Sequence, residues 1–323
     1  MKIIIAVTIL LISFYLVGPT PSFNTKLNKL TLPDTDTGNL GISLDSYIDE
    51  REASFVDITP GTEKKIIWAN PDNPARTEWS FVYFHGFGAT RQELMPVPED
   101  VARHFNGNIY FARLSGHGRT PEALRSGNIS AWAQDTHEAL ILAEKLGDKV
   151  VVIATSTGAT LAAWYLQQDY APKVEALVLV SPNFKLKNPL AAILIAPWGE
   201  HIGRTLIGEY REWQPQNDLQ RSFWTYRQPI ESVIEMVNLV DHVGNLPFEQ
   251  LEVPVQLLYN PGDQIIDADT ALAKVSEMKS AMKDIEIITE VGDKSNHVLA
   301  GDAVSPHTNK QMTDHIIRFL GQL

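Results

Sequence analysis

From about residue 64 onward, short unbroken apolar runs alternate with amphipathic stretches of helical period. Ser80–Phe84, Asn108–Arg113, Lys149–Ala154, Val174–Val180, Val255–Tyr259 and Ile285–Thr289 are rich in Val, Ile, Leu and aromatic residues. Runs of that length and composition, bounded by turn residues, predict strands, with Val150–Ala154 read as fully buried. Between and after them, Pro96–Phe105, Trp132–Leu146 and Thr308–Leu320 repeat their apolar positions every three to four residues and predict helices. The alternation predicts an α/β fold with a mostly parallel central sheet flanked by helices. Upstream, Leu44–Glu52 predicts a short helix packed on the domain. Phe55–Ile58 and Lys64–Ala69 predict the first two strands, broken by Pro60-Gly61. Between Pro182 and Pro254 the alternation stops. Pro189–Trp198, Trp213, Phe223, Trp224 and Tyr226 fall there with helical spacing and no strand pattern. About residues 183–253 therefore predict a helical cap inserted between two late strands.

The N-terminus follows a different pattern. Lys2 precedes an apolar-leaning run, Ile3 to Val17, which Gly18-Pro19-Thr20-Pro21-Ser22 closes. One cation, an apolar stretch short for a bilayer span and a Pro/Gly break predict that residues 1–22 are a secretory signal peptide or an N-terminal membrane anchor. No A-x-A cleavage site separates the two readings. The expected location is therefore exported: periplasmic, secreted or tethered. Residues 23–43 are polar and read as a linker, which leaves 44–323 as the folded domain. A 44% apolar content over 323 residues suits one large domain, and the net charge of −12 argues against nucleic acid and anionic membrane surfaces as partners. The absence of cysteine excludes disulfides, thiolate metal sites and a cysteine nucleophile.

One stretch carries candidate chemistry. Val150–Ala154 runs as a strand into Thr155-Ser156-Thr157, and Gly158-Ala159 opens a helix. A serine on such a bend has its hydroxyl forced outward at the carboxyl end of a parallel strand, beside free helix N–H groups. Ala154 stands where the usual G-x-S-x-G has its first glycine. Taken alone, the string also suits an ordinary helix N-cap.

A serine nucleophile needs a base, and the base needs a partner that holds its tautomer. In a parallel sheet such groups sit in loops beyond the carboxyl ends of the strands. Asp263 follows the strand Val255–Tyr259, and His297 follows Ile285–Thr289, in the order Ser, Asp, His. Asp263 also reads as a turn residue in Asn260-Pro261-Gly262-Asp263, and Asp267 is the substitute acid. An oxyanion needs two donors. The N–H of Thr157, next to the serine, is one candidate. The N–H of Phe87 in His85-Gly86-Phe87-Gly88, where flanking glycines free the backbone to turn, is the other. His85 and His117 are expected to make structural hydrogen bonds, and His137 to meet solvent or the sheet.

The strings H-G-F-G (85–88), R-L-S-G-H-G (113–118), A-T-S-T-G (154–158), P-G-D-Q-I-I-D (261–267) and S-N-H-V-L (295–299) resemble the α/β-hydrolase fold. They are most similar to the bacterial carboxylesterase, monoacylglycerol-lipase and lysophospholipase branch, over about residues 64–321. The resemblance implies Ser156 as nucleophile, His297 as base, Asp263 as acid, and Phe87 and Thr157 as oxyanion donors, with no metal or organic cofactor. It implies hydrolysis of a small-molecule ester, lipids included, with membrane contact only through an uncleaved N-terminal segment. Activity is expected to rise through roughly pH 6–7 as a histidine base becomes neutral. The same machinery serves aminopeptidases, thioesterases and carbon–carbon bond hydrolases, and a non-catalytic ligand-binding member also fits.

Overall fold

The computed structural model describes residues 15–33 and 40–323. Helix α1 (Leu40–Glu52) leads to edge strand β1 (Lys65–Ile67). Then β2 (Thr77–Phe84), α2 (Val97–His104), β3 (Asn108–Phe111), α3 (Ile129–Leu146), β4 (Gly147–Thr155), α4 (Thr157–Tyr165) and β5 (Ala176–Val180) alternate as the sequence pattern requires. After an insertion the alternation resumes with β8 (Val255–Tyr259), α8 (Ala268–Glu277), β9 (Lys283–Ile287) and α9 (Asn309–Leu320). The sheet order is β1-β3-β2-β4-β5-β8-β9, with β1 antiparallel to β3 and every other pairing parallel.

The period of two along each strand divides the core between the two faces of the sheet. Val150, Val152 and Ala154 of β4 face one apolar cluster, while Val151 and Ile153 face the other. Phe84 and Val82 of β2, and Leu177 and Leu179 of β5, join the first cluster with residues of α3 and α4. Phe81, Tyr83, Val178 and Val180 join the second with Val97, Val101, Ile316 and Phe319 of α2 and α9. Each such fully buried side chain contributes on the order of 1.5–3 kcal/mol. The sheet is thus clamped from both sides, and the loops at its carboxyl edge are left to carry polar groups.

The insertion holds a 3₁₀ turn (Pro189–Ile195), α5 (Gly199–Leu206), β6 (Tyr210–Glu212), α6 (Asp218–Phe223), β7 (Arg227–Pro229) and α7 (Ile230–Gly244). It is therefore not purely helical: β6 and β7 pair antiparallel, with Tyr210 opposite Pro229. Three-residue strands are too short to print a period-two pattern. The predicted strand at Phe55–Ile58 is absent; the segment is irregular with a bend at Val56, which is fully exposed. Its apolar residue finds a different partner, since the Arg119 guanidinium lies 4.1 Å from the Phe55 ring centroid and Asp57 accepts from Arg119.

Residues 1–14, most of the proposed leader, lie outside the described residues, as do 34–39. Among the described residues no helix is long and apolar enough to cross a membrane. The stretch 23–33 runs over the domain, with Phe23 stacked on His242 at 3.6 Å and Leu27 and Leu32 packed on the larger core cluster. A buried charge network ties α1 to the loop after β3. Arg113 donates twice to Glu52, Lys64 pairs with Glu138 at 2.5 Å, and Asp135 accepts the Ser115 N–H at 2.6 Å.

Candidate active site

Strand β4 ends at Thr155 and α4 begins at Thr157, so a single residue makes the bend. Ser156 takes φ 52° and ψ −119°, a left-handed conformation that costs a non-glycine residue about 1–3 kcal/mol. The surroundings hold it there. The Ser156 N–H donates to the Val180 carbonyl on β5, and its own carbonyl accepts from the Ala159, Thr160 and Asn183 N–H groups. Gly158 explains the close seating of α4, because a Cβ there would meet the Phe84 and His85 carbonyl oxygens at 2.6 Å. Ala154, the departure from the usual motif, lies fully buried within β4 opposite Phe84 and Leu179, and the bend forms with its methyl in place.

The loops after β8 and β9 meet this bend. The Ser156 hydroxyl lies 3.0 Å from His297 Nε2, and His297 Nδ1 lies 2.7 Å from Asp263 Oδ2. Oδ1 of Asp263 accepts the Ile265 and Ile266 N–H groups at 2.7 and 3.0 Å, which fixes the carboxylate. With Asp263 accepting, Nδ1 carries the imidazole proton and Nε2 is left to accept from the serine. Burial pushes the His297 pKa down, but the Asp263 charge and hydrogen bond, with Glu93 and Asp293, outweigh it and hold the pKa above the ordinary value. The three side chains predicted from strand-end spacing are therefore one hydrogen-bonded chain. Asp267 is elsewhere: it caps α8 through the Thr270 N–H and pairs with Lys185.

The loop after β2 passes over the nucleophile. Gly86 sits so close that a Cβ on it would lie 3.1 Å from Ser156 Cβ. Among the described residues no acceptor takes the N–H of Phe87 or of Thr157, which leaves both amides free beside the serine. His85 locks the loop. Its Nδ1–H donates to the Gly86 carbonyl and its Nε2 accepts the Leu114 N–H, and burial keeps it neutral by lowering its pKa to about 4. His117 donates from Nδ1 to the Ser115 carbonyl, and burial pushes its pKa well down too. Both are structural, as expected. His137 is half-buried on α3 and hydrogen-bonds the Tyr165 hydroxyl at 2.5 Å.

The sequence profile of the family described as serine aminopeptidase, S33, matches residues 75–292, which run from the first parallel strand to the loop before His297. The chain belongs to that family. The mostly parallel central sheet flanked by helices is the α/β-hydrolase fold. Among curated proteins, the uncharacterized protein YnbC of Escherichia coli (strain K12) is 29% identical over 150 residues, 44% of this chain. The matched part is 26% of YnbC, about a quarter of its length. Solved structures show the same fold at low identity. A structure from work on the metagenome-derived lipolytic enzymes LipS and LipT superposes with a TM-score of 0.64 at 16% identity, covering 82% of this chain and 100% of its own. The monoacylglycerol lipase of Paleococcus ferrophilus gives 0.57 at 16%, covering 80% and 99%. A soluble variant of Saccharomyces cerevisiae monoglyceride lipase, bound to a substrate analog, gives 0.59 at 11%, covering 81% and 92%.

In this S33-type hydrolase the cap roofs the site. The Thr225 N–H donates to the Gly88 carbonyl at 2.7 Å, and Trp224 packs with Ala89, Val298, Ala303 and Val304. Ser156 and His297 are consequently only 5% and 8% exposed. A cavity of about 330 Å³ opens between the cap's 3₁₀ turn and α7, lined by Phe184, Leu186, Ala191, Ile195, Val237 and Val240 among others; none of Ser156, Asp263 and His297 lines it. Among the described residues no group of three or more His, Asp or Glu could hold a metal ion. Two acids went unnoticed in the sequence. Asp293 Oδ2 accepts the His297 and Val298 N–H groups and the Ser295 hydroxyl, so it shapes the histidine loop. Glu93 is buried beside Gly86. A signal for Asp293 existed in its spacing of four from His297; for Glu93, in a helical turn, there was none.

Proposed function

We propose that the protein is a serine hydrolase that cleaves carboxylic esters of lipophilic acyl substrates through an acyl-enzyme. The observation that carries this is the chain Ser156 Oγ–His297 Nε2–Asp263 at 3.0 and 2.7 Å, on a residue held at φ 52° beside two free amides. His297 removes the Ser156 proton as Oγ attacks the ester carbonyl, and the carbonyl π electrons move onto oxygen. The Phe87 and Thr157 N–H groups receive that oxyanion. Collapse expels the alcohol, to which His297 returns the proton. Water, deprotonated by His297, then attacks the acyl-enzyme and releases the acid and Ser156.

The choice of an ester is supported by the apolar roof and by neighbours whose names are lipolytic enzyme and monoacylglycerol lipase. The family's own description favours a second reading, aminopeptidase. A panel of p-nitrophenyl esters against aminoacyl anilides separates them. Turnover of the esters, with fluorophosphonate labelling lost in Ser156→Ala, is expected. Anilide turnover that exceeds ester turnover would favour the peptidase. An intact protein that takes no label sinks both. The apolar run Ile3–Val17 supports export or tethering. Fractionation of cells expressing the full chain tests this, and recovery in the soluble cytoplasm would refute it.

A further inference from the structure

Glu93 is a buried acid that the proposed reaction does not use. It lies on the 3₁₀ turn Arg91–Glu93 behind the oxyanion loop and is 2% exposed. Its Oε2 accepts the Gly86 N–H at 2.7 Å and the Tyr83 hydroxyl at 3.3 Å. Its Oε1 and the Ser156 Cβ crowd the same small space, 3.0 and 3.1 Å from the point where a Gly86 Cβ would stand. The turn itself is pinned. Thr90 caps it through the Gln92 N–H, Gln92 holds the Gly61 carbonyl, and a Cβ on Gly301 would meet the Glu93 carbonyl at 2.2 Å.

We propose that Glu93 is a positioning residue for the serine reaction: its carboxylate fixes the Gly86 peptide so that the Phe87 N–H faces the oxyanion, and its charge favours the imidazolium that forms on His297. The inference rests on the serine-hydrolase reading of the site. A donor pair works only when aimed before the reaction begins: His85 holds the Gly86–Phe87 peptide by its carbonyl, and Glu93 holds the preceding peptide by the Gly86 N–H, so the turn that presents the Phe87 N–H is fixed on both sides. The charged and titratable groups that face the pair are Tyr83 from β2, Asp263 from the loop after β8, and Asp293 from the loop after β9. Asp263 is committed to Nδ1 and Asp293 to backbone N–H groups, so Glu93 is the acid set against the oxyanion loop.

The placement works against stability, which marks it as functional. Burial raises the Glu93 pKa from 4.5 to about 7, against the pull of the Gly86 N–H, His297 and Tyr83. An acid whose folded pKa lies above its unfolded one destabilises the fold progressively as pH rises through that interval. Glu93→Gln keeps the shape and an acceptor for Gly86 but removes the charge. At pH 8 the variant is expected to melt higher than wild type by about 2 °C or more. Its kcat toward a p-nitrophenyl ester is expected to fall about tenfold or more with KM little changed. Removing a negative charge near His297 lowers its pKa, so the acid limb of kcat/KM moves down by about half a unit to one unit. Carbon-13 NMR of labelled His297 reads the same shift without activity. Glu93→Asp, which restores charge on a shorter stem, is expected to bring the His297 titration back toward wild type.

A variant that melts lower at pH 8 and leaves the His297 titration unmoved would reduce Glu93 to a packing residue and overturn the inference. Wild-type protein that takes no fluorophosphonate label would instead remove the serine-hydrolase reading, while the NMR titration still decides whether Glu93 and His297 are coupled. If Glu93→Gln does not fold at all, the NMR titration of wild-type His297 decides: a second inflection in its carbon-13 shift as the neighbouring carboxyl titrates supports coupling, and a single-site curve refutes it.

Discussion

Replacing Asp263 with Asn tests the proton relay at its least obvious member. The Asn oxygen can keep the Ile265 and Ile266 N–H groups that hold Asp263 Oδ1, so the loop has no reason to move. Its amide nitrogen then faces His297 Nδ1, where the wild-type carboxylate accepts at 2.7 Å. Two donors cannot share one bond. Nδ1 is forced to accept, and the imidazole proton transfers to Nε2, the atom that must take the Ser156 proton across 3.0 Å. The base is blocked in its own ground state. The imidazolium also loses its buried counter-charge, the largest of the influences that raise the His297 pKa. The expected loss in kcat is about 10³–10⁴-fold, or about 4–5.5 kcal/mol, with residual turnover from the oxyanion donors and substrate binding. Steady-state hydrolysis of a p-nitrophenyl ester gives the number, and the Nε2 proton resonance of His297 reports the tautomer. Asp267→Asn is the control, because Asp267 caps a helix and touches neither His297 nor Ser156. A D263N enzyme within about tenfold of wild type, or a D267N enzyme that loses more than D263N, would refute the reasoning.

The remaining expectations are simpler. Because the folded state holds the His297 proton more tightly than free imidazole does, kcat/KM should rise with a midpoint above 6.5. A midpoint at or below that value would contradict the dominance of Asp263 over burial. The same raised pKa contributes stability that is complete below the ordinary imidazole range and is lost as pH climbs through the folded value. Gly158→Ala would drive a methyl into two carbonyl oxygens at 2.6 Å, costing about 1–3 kcal/mol in urea denaturation and slowing fluorophosphonate labelling as the bend shifts. An unchanged urea midpoint would show that α4 can slide away from β2.

The sequence displayed the parallel sheet because fully buried strands are written as apolar runs, and β8 is predicted to the residue, Val255–Tyr259. It displayed the order of Ser156, Asp263 and His297, since Ser156 and Asp263 stand just past strand ends, which are legible, and His297 lies in the loop after the last strand. It failed where partners come from elsewhere in the chain. Phe55 and Val56 carry strand-like side chains, yet Phe55 is met by arginine guanidinium groups and no strand offers hydrogen bonds. The cap's β6–β7 ribbon is three residues a side, below the length at which period two shows.

What the sequence determined by itself was the alternation of elements and the chemical types at their carboxyl ends, because burial and helical period are local properties of the chain. The tertiary structure alone decided that Asp263 and not Asp267 reaches the imidazole, that the cap covers the oxyanion loop, and that Glu93 lies behind Gly86. Those outcomes depend on which loops the sheet order brings to one edge. Carboxylates four residues apart differ in role only through what the fold places opposite each: an imidazole for Asp263, a helix N–H and a lysine for Asp267.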